Sequence, residues 1–216
     1  MIVSIEGLDG VGKSTHAASL TERLRAKLWK FPVKDSPTGE LIYGHLTGEW
    51  AAMQRNDADE FPTKAETKMN ALVFQALQIA NRIEALPQLM RDIAAGNVVF
   101  DRYWQSGYAY GRADGLDGEY LINLHSTLPA PNLNLLLDAD VGTSFSRRPR
   151  RPDRYEECYQ TLTAVCENYH ALWTSKMSAE AQVPAHRWRI INAGGTREET
   201  AAAIDREIAE WRDSVE

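Results

Sequence analysis

Short apolar runs alternate along this chain with longer stretches in which apolar residues recur every three or four positions. The short runs are residues 2–5 (IVSI), 97–100 (NVVF), 133–137 (LNLLL) and the stretch around residue 190 (WRIIN). Runs of this length predict buried strands, and the longer periodic stretches predict helices. Strands that alternate with helices throughout predict an α/β fold built on a parallel sheet flanked by helices.

Helical periodicity covers residues 15–28, 69–96, 157–177 and 196–216. The second stretch has an apolar face made by Leu72, Leu77, Ile79, Ile83, Leu86 and Leu89. A bend is expected at Pro87, which lacks a backbone donor, and Gly96 ends the helix. The third stretch has a face made by Cys158, Leu162, Val165, Cys166, Tyr169 and Trp173, so both cysteines are expected in the core. Thr196 and Glu199 match a capping box at the start of the last helix.

Composition narrows the class of protein. With 216 residues and no linker, one domain over residues 1–216 is expected. The net charge of −6 argues against a nucleic-acid coat protein, whose surface is usually basic. No apolar run approaches the roughly 20 residues that cross a bilayer, and the first residues lack the pattern of a signal peptide. The two cysteines fit neither a metal site nor a disulfide, which favours a reducing cytoplasmic compartment (the host cytoplasm for a virus-encoded protein).

The first predicted strand leads into GLDGVGKST, and a predicted helix follows. Glycines in such a loop let several backbone N–H groups point at one anion, and the helix N-terminus adds partial positive charge. The lysine reaches the β- and γ-phosphates, and the serine hydroxyl binds Mg²⁺. The strand–loop–helix order indicates a P-loop that binds a nucleoside triphosphate through Gly7, Gly10, Val11, Gly12, Lys13, Ser14 and Thr15.

A P-loop alone does not name the reaction. The chain lacks the N-K-x-D segment with which regulatory GTP-binding proteins read guanine, and it is short for a motor or helicase. Its length fits a small kinase best.

A second charged site follows the strand at residues 97–100. Asp101 and Arg102 lie where that strand ends, and ligands of parallel α/β sheets bind at the carboxyl ends of strands. The aspartate suits Mg²⁺ or an attacking oxygen, and the arginine suits a phosphate. An ordinary salt bridge at a strand end is the alternative for these two residues taken alone.

Several separated motifs resemble the thymidylate kinases, a branch of the nucleoside monophosphate kinases. DRYWQSGYAYG (residues 101–111) is similar to the family's D-R-[YH]-x-x-S-x-x-A-[YF] signature. KFPVKDSPTG resembles its F-P-x-R segment, RRPRRPDRYE resembles its arginine-rich lid, and Asn81, Arg82, Pro87 and Gly96 share its spacing. The resemblance extends to about residue 170 and implies a P-loop kinase fold with a lid at about residues 143–156.

The resemblance also implies the reaction: ATP with Mg²⁺ phosphorylates a deoxynucleoside monophosphate, dTMP first among them. Ser14 and Asp101 would serve the metal, and Lys13 and Arg102 would neutralise phosphate charge. The residues that the resemblance places at the acceptor are Asp9 at the 3′-hydroxyl, Lys34 and Arg102 at the phosphate, Arg82 at base and phosphate, Tyr155 under the deoxyribose, and Ser106 and Tyr110 of the signature. Lys34 stands where the family has an arginine and therefore lacks the planar fork.

Five arginines crowd residues 147–154, where two prolines interrupt any helix. A solvated turn or a nucleic-acid patch would explain them, but an arginine delivered to a moving phosphoryl group is worth about 10³ to 10⁵ in rate. Some thymidylate kinases carry that arginine in the P-loop and others in the lid. The P-loop position here is Gly10, so the lid residues Arg147, Arg148, Arg150 and Arg151 are the catalytic candidates.

Two positions depart from the family's thymine-reading pattern. Gln78 stands where a phenylalanine usually stacks on thymine, and Phe74 lies about 6 Å further along the helix. Gly111 stands where the family has Gln, Thr or Asn, so a hole is expected there. A purine or modified base would use such a hole; alternatively Tyr110, Tyr108 or Trp104 compensates and dTMP remains the acceptor.

Other functions stay open at this point. One alternative is a deoxynucleoside kinase. The other is a non-catalytic or slow NTP-binding module whose arginine-rich loop binds nucleic acid. Lys34 and Arg102, two cations suited to an existing phosphate, favour a monophosphate acceptor. By resemblance alone, a homodimer is expected through helices that include residues 69–90.

Overall fold

The computed structural model describes residues 1–47, 64–147, 158–174 and 187–215, with the side chains of 64–68 and 215 excepted. The strands are β1 (Ile2–Gly7), β2 (Lys27–Lys30), β3 (Val98–Asp101), β4 (Leu133–Asp138) and β5 (Trp188–Asn192). The helices are α1 (Lys13–Leu24), α2 (Pro37–Leu46), α3 (Lys64–Ala95), α4 (Trp104–Ala113), α5 (Gly118–His125), α6 (Val141–Ser146), α7 (Tyr159–Thr174) and α8 (Arg197–Val215).

The five strands form one parallel sheet in the order β2-β3-β1-β4-β5. The central strands are buried on both faces, which is why their sequences are almost continuously apolar. Ile5 of β1 pairs with Asp101 of β3, so the loop after β1 and the acid–base pair after β3 meet at one edge of the sheet. This architecture confirms the predicted α/β fold with its parallel sheet and flanking helices.

The structure corrects the predicted helix over residues 15–28. α1 ends at Leu24, and Arg25 takes a left-handed conformation (φ 48°) that stops the helix. After Ala26, Lys27–Lys30 form β2, whose side chains are mostly exposed because it lies at the edge of the sheet. A partly exposed strand without an apolar run gives little periodic signal, and the strand was therefore missed.

The predicted apolar face of α3 is partly wrong. Ile79 and Leu89 are buried, but Ile83 is 50% exposed. The face that packs inward carries polar side chains among its apolar ones: Gln75, Gln78, Asn81 and Arg82 are all buried. α3 is continuous through Pro87. Its inward face contributes side chains both to the hydrophobic core and to the cleft described below.

A row of apolar side chains on α3 remains exposed. Met69, Val73, Ile83 and Met90 are 60%, 39%, 50% and 48% exposed, with Ala76 and Pro87 between them at helical spacing. We call these six residues the α3 stripe. No helix in the described parts of the chain combines the length and apolar character needed to cross a bilayer.

For the last two helices, the predicted N-terminal cap of α8 is confirmed, whereas the predicted apolar face of α7 is partly wrong. The Thr196 hydroxyl accepts from the Glu199 N–H (3.2 Å), and the Glu199 carboxylate accepts from the Thr196 N–H (2.8 Å), which confirms the capping box. In α7 the inward position is Leu172, whereas Trp173 is 36% exposed, so that part of the predicted face is wrong. Both cysteines are free and half-buried at the margin of the core.

Candidate active site

A cleft of about 430 Å³ opens at the carboxyl edge of the sheet. It lies between the P-loop, the segment after β2, helices α2 and α3, and the start of α4. Its lining residues are Asp9, Gly10, Gly12, Lys13, Ser14, Thr15, Lys30, Phe31, Pro32, Tyr43, Leu46, Phe74, Gln75, Gln78, Arg82, Asp101, Arg102, Ser106, Gly107 and Tyr110. Most of the residues predicted for the nucleotide sites are therefore brought together in one cavity.

The P-loop presents backbone N–H groups as well as side chains to this cleft. Gly12 is the N-cap of α1 in a left-handed conformation (φ 92°), and no described side chain caps the helix. The first N–H groups of α1 are left available to an anion, with the partial positive end of the helix behind them. Gly10 (φ 81°) is tightly packed, because a Cβ there would lie 2.9 Å from the Ser144 carbonyl oxygen.

Lys13 lies almost fully buried beneath the loop. Its Nζ donates to the Leu8 carbonyl oxygen (2.5 Å) and to Asp9 Oδ1 (3.3 Å). Burial, reinforced by repulsion from Arg102, lowers the pKa of the Lys13 ammonium to about 8. A bound phosphate would add negative charge beside the ammonium and would stabilise its protonated form.

Ser14 and Asp101 form a pair of oxygen ligands across the cleft. The Ser14 hydroxyl donates to Asp101 Oδ2 at 2.6 Å, and Lys30 Nζ lies 3.6 Å from the same oxygen. Mg²⁺ prefers oxygen ligands and binds through one or two carboxylates together with substrate phosphates. The two side chains therefore fit the predicted metal role, and Lys30 keeps a positive charge beside them.

Arg102 is held in an unusual backbone conformation, with φ at 66°. Its guanidinium donates to Asp9 Oδ1 (2.5 Å), Ser106 Oγ (3.1 Å) and the Gly7 carbonyl oxygen (3.2 Å). Burial alone lowers the pKa of Arg102, but the Asp9 carboxylate more than reverses this and holds it above the usual range. A strained, fixed and permanently charged arginine in a cleft is suited to binding an anion.

The support behind Arg102 is a buried carboxylate. Glu6 of β1 is fully buried and accepts from the Ser106 hydroxyl (2.7 Å) and the Tyr103 N–H (2.8 Å). Burial raises the pKa of Glu6 in spite of these donors and of nearby Arg102. The Ser106 hydroxyl donates to Glu6, and its oxygen accepts from Arg102. This chain of hydrogen bonds fixes the arginine side chain.

Asp9 balances the cations of the site. It accepts from Arg102, Lys13 and the Tyr110 hydroxyl (3.0 Å). Burial raises the pKa of the Asp9 carboxyl, but Arg102 and Lys13 outweigh burial and hold it below the usual range. Asp9 is thus ionised, and it links the P-loop, to which it belongs, with Arg102 and with Tyr110 of α4.

Arg82 crosses from α3 to α4 inside the protein. Its guanidinium donates to Gln78 Oε1 (2.9 Å), to the Gln78 carbonyl oxygen (2.6 Å) and to the Tyr103 carbonyl oxygen (2.8 Å). It also lies over the Phe31 ring, 5.4 Å from the centroid. Burial lowers the pKa of Arg82 to about 10, which keeps it charged at neutral pH.

The prediction of an empty space beside Gly111 is wrong. A Cβ at Gly111 would lie 2.8 Å from Leu121 Cδ2 and 3.2 Å from Gln75 Nε2, so neighbouring side chains already fill this space. Gly111 does not line the cleft. The aromatic side of the cavity is formed by Phe74, which stacks on His45 at a centroid distance of 4.4 Å, and Gln78 lines the cleft one turn further along α3.

Other predicted site residues lie apart from the cleft lining. Lys34 is exposed, with its Nζ 5.4 Å from the centroid of the Tyr43 ring. Gly7 and Val11 are buried, and Arg147 donates to the carbonyl oxygens of Ala193 and Gly194 (3.2 and 3.5 Å). The predicted positions of Arg148, Arg150, Arg151 and Tyr155 lie outside the described residues.

Seven lining residues were missed from the sequence: Lys30, Phe31, Pro32, Tyr43, Leu46, Gln75 and Gly107. Lys30 belongs to β2, the strand that periodicity did not reveal. Gln75 lies one turn of α3 before Gln78, and a glutamine on a helix gives no sequence signal of which way it faces. Its proximity to Gln78 and Arg82 at helical spacing was the available clue.

Comparisons with known proteins agree with this geometry. A sequence model described as "Thymidylate kinase" matches residues 5–204. The thymidylate kinase of Schizosaccharomyces pombe is 31% identical over 177 residues, covering 79% of this chain and 76% of that protein. A probable thymidylate kinase of Methanococcus maripaludis is 27% identical over 190 residues, covering 88% and 85%.

Solved structures give the same fold. Thymidylate kinase from Candida albicans superposes with a TM-score of 0.76 at 27% identity, covering 100% of this chain and 93% of that one. Deoxyadenosine kinase from M. mycoides, solved with bound dATP, gives a TM-score of 0.64 at 18% identity, covering 97% and 100%. The second likeness shows the fold alone.

Proposed function

The chain belongs to the thymidylate kinase family, and we propose that it transfers the γ-phosphate of ATP to dTMP, giving ADP and dTDP. The observation that carries the proposal is the pairing of two phosphate sites in one cleft. The P-loop with Lys13 forms one, and Arg102, fixed by Glu6 and Ser106, forms the other.

A monophosphate acceptor is supported by the charges around Arg102. The Arg102 guanidinium donates to Asp9 and is the group that we expect to bind the acceptor phosphate, and Lys30 adds a second cation beside Asp101. An acceptor that carries no phosphate would offer no anion to Arg102 and Lys30, which favours a monophosphate as the acceptor. Lys34 remains a proposed phosphate contact, although it lies outside the cleft lining.

The chemistry requires little from the protein beyond position and charge. An oxygen of the dTMP phosphate attacks the γ-phosphorus of ATP, and the bond to the β–γ bridging oxygen breaks as ADP leaves. Lys13 neutralises charge on the donor phosphates and Arg102 holds the acceptor phosphate. Mg²⁺, held by Ser14 and Asp101, would neutralise the developing charge when bound. Asp9, released from Arg102 by the phosphate, becomes free to accept from the sugar 3′-hydroxyl.

The lid is proposed to supply the remaining positive charge. The guanidinium of Arg147 donates to the carbonyl oxygens of Ala193 and Gly194 in the loop after β5. By its resemblance to the family, the loop of residues 193–196 would hold the adenine of ATP, which favours a role in donor binding for Arg147. The catalytic role then falls to Arg148, Arg150 or Arg151. Tyr155 is proposed to close the space beneath the deoxyribose.

A homodimer is supported by the α3 stripe. Six apolar residues at helical spacing lie exposed along more than five turns of one helix, on the side opposite the cleft-lining glutamines. Exposed apolar surface of this kind marks contact sites. A second copy of the same helix is the proposed partner.

The test is an ADP-release assay with Mg-ATP against dTMP, dUMP, dCMP, dGMP, dAMP and thymidine. We expect dTMP to have the highest kcat/KM. The Candida albicans enzyme is described as having broad substrate specificity, so measurable rates on other deoxynucleotides are compatible with the proposal. A higher kcat/KM for a purine deoxynucleotide or for thymidine would contradict it, as would the absence of turnover with every acceptor.

A further inference from the structure

One buried side chain of the cleft has no hydrogen-bond partner in the fold. Gln75 of α3 is 1% exposed, and neither its Oε1 nor its Nε2 meets a partner among the described residues. Leaving such a group unpaired costs about 1–3 kcal/mol. Gln75 nevertheless lies in the cleft wall, so a ligand bound in the cleft is the partner that the position of the amide suggests.

The amide of Gln75 lies across two glycines of α4. A Cβ on Gly107 would lie 3.3 Å from Gln75 Oε1, and a Cβ on Gly111 would lie 3.2 Å from Gln75 Nε2. A side chain at either glycine would therefore crowd the amide. Gln75 occupies the space that a side chain from position 111 would otherwise fill.

The neighbouring polar groups of the cleft are already engaged. The Gln78 Oε1 accepts from Arg82, the Tyr110 hydroxyl donates to Asp9, and the Ser106 hydroxyl donates to Glu6. These bonds assemble the phosphate side of the cleft around Arg102. Gly107 is on α4, five residues after Arg102 in the sequence, and we expect a nucleotide whose phosphate binds Arg102 to place its base near this part of α4 and Gln75.

We infer that Gln75 recognises the base of the acceptor, through two hydrogen bonds from its amide to the N3–H and O4 of thymine. An amide carries one donor and one acceptor side by side, and it pairs with a base edge that presents the same two groups. The inference rests on the proposed function. It makes Gln75 a specificity residue in place of the polar side chain that position 111 lacks.

The test compares dTMP with N3-methyl-dTMP, in which the N3–H donor is replaced. The wild-type protein should prefer dTMP by about 10- to 100-fold in kcat/KM, the loss expected when a buried hydrogen bond is broken and its partner left unpaired. Gln75→Met keeps the length of the side chain and removes the amide. It should lower kcat/KM for dTMP by about tenfold or more, mainly through KM, and bring the two substrates within about threefold of each other.

Gln105→Met is the matched control. Gln105 is a fully buried glutamine on α4 that donates to Asn134 Oδ1 (2.5 Å) and does not line the cleft. Its replacement removes a buried amide from the fold, and the preference for dTMP over N3-methyl-dTMP should stay at the wild-type ratio.

A Gln75→Met protein that keeps the wild-type ratio, or that loses rate equally on both substrates, would overturn the inference. If thermal melting shows that this variant does not fold, Gln75→Glu keeps the shape and exchanges the donor for an acceptor. If the Gln75→Glu variant had the same kcat/KM for dTMP as the wild-type protein, the inference would be overturned. A wild-type protein that phosphorylates no deoxynucleoside monophosphate would instead refute the proposed function, which separates the two failures.

Discussion

Replacing Gly111 by alanine distinguishes a filled site from a hole. The added Cβ would lie 2.8 and 3.0 Å from the two terminal carbons of Leu121 and 3.2 Å from Gln75 Nε2. Leu121 is fully buried, so its side chain cannot turn into solvent to make room. Gly111 is also inside α4, where alanine is the better helix former.

The two effects oppose each other. Alanine in place of glycine inside a helix stabilises the fold by about 1 kcal/mol, whereas overpacking a core costs about 1–3 kcal/mol. The 2.8 Å contact with a fully buried side chain makes overpacking the larger effect, and we expect a net loss of about 1 kcal/mol. In a chain of this length that lowers Tm by about 2–4 °C. An empty hole at Gly111 would give the opposite sign, because only the gain in helix propensity would remain.

The assay is thermal melting of wild type, Gly111→Ala and the control Gly118→Ala. A Cβ at Gly118, the first residue of α5, would come no closer than 3.3 Å to a neighbouring atom, so its replacement should not lower Tm by a comparable amount. Since the Gly111 Cβ also presses on Gln75, KM for dTMP should rise with Gly111→Ala. A Tm that rises by about 2–4 °C would refute the reasoning and restore the open pocket expected from the sequence.

Three further predictions concern charge, metal and assembly. The free protein should lose its Lys13 proton as pH rises through about 8, well below the 10.5 of an ordinary lysine, so ADP affinity should fall above pH 8 and binding at pH 8.5 should take up a proton. Calorimetry in buffers of different ionisation enthalpy measures this uptake, and its absence would contradict the prediction. Asp101→Asn should lower Mg²⁺-dependent kcat by about 100-fold or more while metal-free ADP binding stays within about threefold; equal losses in both assays would argue against a metal role. Ile83→Arg in the α3 stripe should shift the molar mass in light scattering from dimer to monomer, whereas Glu210→Arg on exposed α8 should not; a dimeric Ile83→Arg protein would exclude this surface.

The sequence predicted the parts of the fold in which local pattern and tertiary role agree. The runs IVSI and NVVF form central strands because burial on both faces requires apolar residues throughout. The P-loop and the Asp101–Arg102 pair were found because phosphate chemistry requires particular residues at fixed spacing. Thr196 and Glu199 were found for a similar reason, since a capping box is local.

The failures arise where tertiary context outweighs local pattern. β2 lies at the edge of the sheet, so KLWK needed no apolar run to become a strand. The side of α3 that faces inward was misjudged at Ile83 because the cleft buries Gln75, Gln78 and Arg82 in its place. Gly111 was misjudged because Leu121, ten residues further along the chain, fills its space, and periodicity carries no information on that contact.

The packing around Gly10 has an evolutionary consequence. Its left-handed backbone, the Ser144 carbonyl oxygen and the Arg147 Cβ at 3.0 Å leave no place for a side chain, and the Ser144 hydroxyl ties α6 to the Asp9 carbonyl oxygen. A single codon change that put arginine at position 10 would damage the loop before the new guanidinium reached any phosphate. A lineage with this arrangement could gain a functional arginine at position 10 only if α6 moved away from the loop. The packing therefore couples the residue type at position 10 to the placement of α6, so that a change at one requires a change at the other.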